Sequence, residues 1–339
     1  MADPFEIITK PYVQENQSTV VSLSAGEERA DMVFRALLPF SRQIKESIGN
    51  RRVVLKPNNV LLYVPLACTH VETLEGILEF LKSIKKLNNV IIAESSASGS
   101  TLEGFSNYGY SSLLSKYPVK LVDLDNEKFG ITNVVDERDF RPRNIRVSAV
   151  ILDKDSYVVS VARMKTHNVV GATLSLKNIV FGSPIKDHGF TLYNEDIRFS
   201  EKAKESKPGA VSYKRFLHGG GYHAVNYNMA SLARTLHPDL AIIDGHTGME
   251  HNGPTLGTPI DHRVCVVSQD WLAADRVGVE LMGIDFSKIG YLNHCSAMGL
   301  GNADLSKIEL LGERMGDHVK QYKLPDNFEK QLVWMKPKS

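Results

Sequence analysis

The sequence predicts an α/β fold, mainly parallel sheet with crossover helices, on three observations. Short β-branched runs alternate with longer amphipathic stretches. The runs are apolar enough to be strands covered on both faces. A small polar cluster, SSASGS, follows one of them, as suits a βα loop at the carboxyl edge of a sheet, where ligands usually bind. The 339 residues have room for one large domain or two closely associated ones. The pattern divides into an α/β portion over 1–150, a second over 151–325 carrying the main motifs, and a tail over 326–339.

The elements follow in order. RVVLKPNNV (Arg52 to Val60) is a strand meeting Pro57 and an Asn pair, and Val71, Leu74, Ile77, Leu78, Leu81 and Ile84 then fall at helical spacing. NVIIAE (Asn89 to Glu94) is a second strand, and Pro118 to Leu124 and Tyr157 to Ala162 are further ones. Asp125 to Asn144 is charged and reads as a surface excursion. Residues 183–221 are rich in Lys, Glu, Ser, Gly and Tyr without a sustained apolar period, and read as a long insertion with a mobile glycine-rich end, HGGGYH. A helix then runs from His223 to His237, where Pro238 stops it. DLAIIDG and RVCVVSQD are buried strands separated by the turn-rich GHTGMEHNGPTLGTPID, the helix Trp271 to Met282 follows, and a closing α/β unit ends in a frayed Lys-rich tail.

Composition excludes several classes. Lys+Arg 40 against Asp+Glu 39 leaves a net charge of +1, too little field to attract nucleic acid or an acidic membrane. Cys68, Cys265 and Cys295 lie far apart, which excludes a disulfide framework and a Cys-rich zinc site. The start MADPFEIITKPYVQ lacks the basic and apolar regions of a signal peptide, so a soluble cytoplasmic protein is expected. There is no GxSxG, GxGxxG or GxxxxGK[ST]. A homodimer is common at this size, although no residue marks an interface.

The densest chemistry is MKTHNVVGATLSLKNIVFG (Met164 to Gly182), which places Lys165, His167, Lys177 and Asn178 after a strand. Lys165 and His167, two apart, share one side of that strand. Amines among apolar residues cost desolvation unless partnered, so the cluster suits a phosphate or carboxylate, the plain alternative being solvated lysines. Lys56 and Asn58 end the first strand and offer a second anion contact, and His70 begins the next helix. Asp244, Glu250 and His251 lie after a buried strand among glycines, with His246 nearby. With His167, Glu250 and His251 are chemically adequate for a divalent transition metal, without any strong ligand spacing. Asp275, alone on an apolar helix, is either a buried partner for a basic residue or an acid paired with Arg276.

The ordered motifs KPN (Lys56 to Asn58), MKTH (Met164 to His167), GATLSLKN (Gly171 to Asn178), IIDG (Ile242 to Gly245), MEHNGPTLG (Met249 to Gly257) and SQDWLAADRVG resemble the family called domain of unknown function 362. Some relatives carry cysteine-rich iron–sulfur segments. This chain has none, so no iron–sulfur cluster is expected. His167, Gly171, Lys177 and Gly182 are also similar in spacing to nickel-dependent lactate racemase-like proteins. That resemblance implies a metal- or cofactor-ligating His167 and a basic Lys177. The lysine and cysteine that those proteins use for their nickel-pincer nucleotide fall at Ile151 and Ser160, so no covalent nucleotide of that kind is expected.

These readings converge on an enzyme that acts on a small anionic metabolite by proton transfer or isomerisation. Lys165, Lys177 and His167 would be its catalytic groups, and Lys56, Asn58, Asn178, His70 and Asp244 would contact substrate. The alternative is a protein that captures a small anion or cofactor without turnover.

Overall fold

The computed structural model describes residues 19–191 and 206–337. It opens with β1 (Thr19–Ala25), α1 (Arg29–Leu37) and α2 (Ser41–Ile48), which the sequence reading left unassigned. Then come β2 (Arg52–Lys56), α3 (Val71–Ser83), β3 (Val90–Glu94), α4 (Thr101–Asn107) and β4 (Val119–Asp123). Strands β5 (Phe129–Asp136) and β6 (Arg141–Ser148) precede the short α5 (Ala149–Leu152), β7 (Ser156–His167), β8 (Gly171–Thr173) and α6 (Ser175–Gly182). The chain ends with α7 (Tyr222–Ala233), β9 (Leu240–Asn252), β10 (Leu256–Asp261), β11 (Val264–Ser268), α8 (Trp271–Leu281), α9 (Gly290–Ala297), β12 (Ile308–Gly312) and α10 (Phe328–Gln331).

One mixed sheet of ten strands takes the order β12-β1-β11-β9-β7-β2-β3-β4, with β10 on β9 and β8 on β7. Strands β4, β3, β2, β7 and β9 are mutually parallel, and β11 runs against both β9 and β1. Strands from both sides of residue 150 share this sheet, since β1 lies between β12 and β11, and β2 pairs with β7. Both faces are covered, as the apolar runs require. Val53 and Leu55 face a core with Leu37, Leu74 and Ile77 of α1 and α3, while Val54 faces the opposite core with Ile179, Val225 and Leu272 of α6, α7 and α8.

Four segments differ from the sequence reading. Asp125 to Asn144 contains most of the β5–β6 hairpin, whose outward residues are polar or exposed and so mask the strand period. The turn-rich stretch after DLAIIDG continues β9 as far as Asn252 and folds back as β10, because backbone pairing holds it in extended form despite its glycines. The described parts of 183–221 are anchored beside β6 through the pairs Val147–Pro184 and Lys186–Ser212, while 192–205 lie outside the described residues. The tail packs rather than frays up to residue 337, with Phe328 and Gln331 buried. No helix of the described residues is long and apolar enough to cross a membrane.

Candidate active site

The carboxyl ends of β2, β3 and β7 and the start of α6 meet at a cleft of about 1800 Å³. Its lining includes Lys56, Asn58, Glu94, His167, Lys177 and Asn178. This is the edge at which open α/β sheets place ligands. Behind the surface runs a continuous buried polar network. Lys165 Nζ donates to Asn58 Oδ1 (2.8 Å) and to the Ala67 carbonyl (2.6 Å). Asn58 Nδ2 donates to Asn178 Oδ1 (2.9 Å). Lys56 Nζ donates to Asn178 Oδ1 (3.1 Å), the Pro57 carbonyl (2.8 Å) and Glu94 Oε2 (2.7 Å). Lys56 Nζ thus meets three internal acceptors and Lys165 Nζ two, so both amines brace the floor of the cleft, where the sequence expectation was that they hold an anion. Burial pulls both amines below the ordinary lysine range, against the opposing pull of Glu94 on Lys56, and brings Lys165 to about 7.

Lys177 differs. It is 5 % exposed and lines the cleft, yet among the described residues its amine has no hydrogen-bond or ion-pair partner. Its Nζ stands 4.9 Å from the centre of the Phe181 ring. Burial first, then the nearby Lys165 and Lys56, push this amine well below the usual lysine range. Glu94 pulls the amine weakly the other way, while its oxygens accept from Lys56 Nζ, Asn59 N and Ser95 N.

His167 Nδ1 accepts the Val169 amide at 3.1 Å. In the neutral ring the proton therefore sits on Nε2, which is a donor. Burial first, then the neighbouring Lys177, His218 and Lys165, which disfavour a second charge beside them, hold the imidazole well below its ordinary value, so it stays neutral at physiological pH. A metal bound through Nε2 would require Nδ1 to carry a proton and donate it, whereas here Nδ1 faces a donor.

Two local devices hold this geometry. Asp275 of α8 accepts the Ser175 and Leu176 amides (2.7 and 3.0 Å), capping α6 and setting the turn that carries Lys177. It thus partners backbone, neither a basic side chain nor Arg276, which pairs with Glu280. Gln331 of α10 accepts the Gly171 amide (2.8 Å) and donates to the His167 carbonyl (3.2 Å), clamping the β7–β8 turn. Gly171 has φ +76°, and a Cβ there would lie 2.5 Å from Ile289 Cδ1, so the turn needs glycine on both counts.

The family described as a domain of unknown function (DUF362) matches residues 53–280. The chain belongs to the DUF362 family. Its matched region contains every residue of the network just described and stops short of β12 and α10. The chain is also 23% identical over 275 residues to a thylakoid-associated protein of Synechocystis sp., across 78% of this chain and 76% of that protein.

Other candidates of this DUF362 chain lie elsewhere. His70 caps α3, accepting the Glu72 amide at 3.3 Å. Asp244 is fully buried, with Arg29 at 3.4 Å, the Thr73 hydroxyl at 2.6 Å and the His246 amide at 2.9 Å. Burial pushes its carboxyl up, but Arg29 and Arg163 outweigh that and hold it low. Neither residue lines the cleft. Glu250 and His251 are successive residues near the end of β9, where His251 has φ +67° and departs from regular strand geometry. Glu250 accepts the Lys323 amide (2.8 Å) and His251 Nε2 pairs with Asp326 (2.8 Å). Among the described residues no group of three His, Cys, Asp or Glu side chains is placed to hold a metal ion, so the set His167, Glu250 and His251 is not assembled.

The structure adds residues that sequence reasoning missed. Glu94 ends β3, and its position as an acid closing an apolar strand was the available signal. The 183–221 segment brings Lys186, Lys214, Arg215 and His218 to the cleft wall. Lys186 pairs with Asp125, and Lys214 donates to the Gly182 and Pro184 carbonyls, with burial bringing its amine to about 7. The exposed Arg215 guanidinium has no ion-pair partner among the described residues. His218 packs edge-on to Phe181, with ring centres 5.2 Å apart.

Proposed function

We propose that this protein is an enzyme that moves a proton on a small anionic metabolite held in the cleft. Lys177 supplies the reactive amine, and His167 donates its Nε2–H to the oxygen where negative charge develops. The observation that carries the reading is the buried Lys177 amine, which faces the cleft without an acceptor. A structural lysine in such surroundings finds partners, as Lys56 and Lys165 do. A buried amine whose pKa is lowered toward the neutral range is suited to acid–base work, and a neutral imidazole donor stabilises an oxyanion without losing its own proton. Arg215 gives the wall a cation suited to the metabolite's carboxylate or phosphate.

The test is proton exchange in D2O, followed by NMR on a panel of small carboxylic and phosphorylated acids. Wild-type protein is expected to catalyse exchange at one carbon of one member. Lys177→Met abolishes that exchange while raising the melting temperature, because it removes an uncompensated buried amine. Saturable binding without exchange of any C–H would refute the reading in favour of simple capture.

A further inference from the structure

We propose that Lys177 acts as a nucleophile and forms an imine with the carbonyl carbon of a small 2-oxo acid. The inference rests on the preceding reading of the cleft and names its substrate class and the bond formed. Two of the three lysines at the floor have their nitrogens engaged by fixed acceptors: Lys56 by Glu94, Asn178 and a carbonyl, and Lys165 by Asn58 and a carbonyl. The Lys177 nitrogen alone of these three has neither acceptor nor counter-ion among the described residues, and it opens onto the cleft. Its lone pair is therefore available for attack once the amine is uncharged.

The surroundings suit the product as well as the attack. The Phe181 ring lies 4.9 Å from Nζ and shields one side of a C=N bond from water. Phe181 also stands between His167 and His218, with ring centres 6.4 and 5.2 Å away, so donors flank the shielded position. An anionic carbonyl compound is favoured over a neutral one because the cleft wall carries the exposed Arg215 guanidinium. A 2-oxo acid places carboxylate and carbonyl on adjacent carbons and meets both demands.

The chemistry balances without an added oxidant or metal. The nitrogen lone pair adds to the carbonyl carbon to give a carbinolamine. The two amine protons go to the former carbonyl oxygen, which leaves as water, and a C=N bond replaces N–H and C=O. On protonation from solvent, the iminium accepts the electron pair of the adjacent C–H bond and passes that proton to water. This connects the covalent step to the exchange described above.

The experiment treats the full chain with pyruvate and sodium borohydride, then reads the intact mass and maps the modified peptide. Borohydride delivers hydride to the imine carbon and fixes a secondary amine, so the expected gain is the mass of pyruvic acid less one oxygen atom. The label is expected on Lys177 and is lost in Lys177→Met, whose retained fold is checked by circular dichroism. No adduct, or an adduct on Lys214 or another lysine, would overturn the imine. Exchange without label leaves the proton-transfer reading standing and removes the imine, label without exchange does the reverse, and absence of both removes both.

Discussion

Glu94→Gln isolates the ion pair that supports the floor of the cleft. Both partners are buried, with side chains 1 % and 3 % exposed. Glu94 Oε2 accepts from Lys56 Nζ and Asn59 N, and Oε1 accepts from Ser95 N. A glutamine has one carbonyl oxygen, so in either orientation its NH2 faces a donor. Loss of the charged contact costs roughly 1.5–3 kcal/mol and the unsatisfied donor roughly 1–3 kcal/mol. The sum agrees with the roughly 3–5 kcal/mol expected on removing one partner of a buried pair.

The pH dependence sharpens the test. The folded-state pKa of Lys56 is already lowered by burial, and Glu94 is what pulls it back up. Below its unfolded value the native state thus binds fewer protons than the unfolded chain, and stability rises with pH. Without Glu94 this rise is steeper, because the stranded amine escapes its cost by releasing its proton. Urea denaturation at about pH 7 and at about pH 10, just short of the free-lysine value, should show the gap between variant and wild type narrowing. A loss below about 1 kcal/mol at neutral pH, typical of an exposed pair, or a gap unchanged by pH, would refute the reasoning.

Two other perturbations report on the supports of the site. Burial raises the Asp275 carboxyl to about 7 from its ordinary 3.8, so its stabilising contribution is full below the ordinary value and lost as pH rises through about 7. Asp275→Asn cannot titrate, and the melting temperature of wild type relative to this variant should fall across that window; a constant difference would show that the carboxyl does not titrate there. A Cβ on Gly182 would sit 2.1 Å from Lys56 Cε and 2.2 Å from Nζ, atoms that Glu94 and Asn178 hold in place. Gly182→Ala is therefore expected to cost about 1–3 kcal/mol by overpacking, measured by chemical denaturation, and a neutral effect would mean that the amine swings aside freely.

Much of the floor was legible because it is local. Lys165, His167, Lys177 and Asn178 fall within one strand–turn–helix stretch and so cluster in sequence as they do in space, although the strand runs on past Ala162 to His167 and the helix Ser175–Gly182 was not read from the sequence. Their division of labour was not legible, because an amine's role depends on acceptors distant in sequence. Asn58 is 107 positions from Lys165, and Asn178 is 122 from Lys56. The sequence shows three similar lysines, whereas the fold engages two and leaves the third. Glu250 and His251 show the opposite error: adjacency in sequence suggested shared ligation, whereas each is engaged by the distant 323–326 segment, Glu250 by the Lys323 amide and His251 by Asp326. The β5–β6 hairpin escaped notice because one of its faces is open to water, so charge rather than alternation dominates its sequence.

The position of β1 bears on how the chain is made. Thr19–Ala25 pairs with β11, more than 200 positions later, and with β12, nearly 300 positions later. During synthesis β1 has no permanent place until β11 has emerged, while β2, β3, β4 and β7 can already associate. The nascent protein thus carries an unpaired strand while more than 200 further residues are made, the kind of exposed edge that chaperones shield. Gln331 sits beyond both of those partners, so the clamp on the His167 turn closes after them, and the floor of the cleft reaches its final form only once α10 has been made.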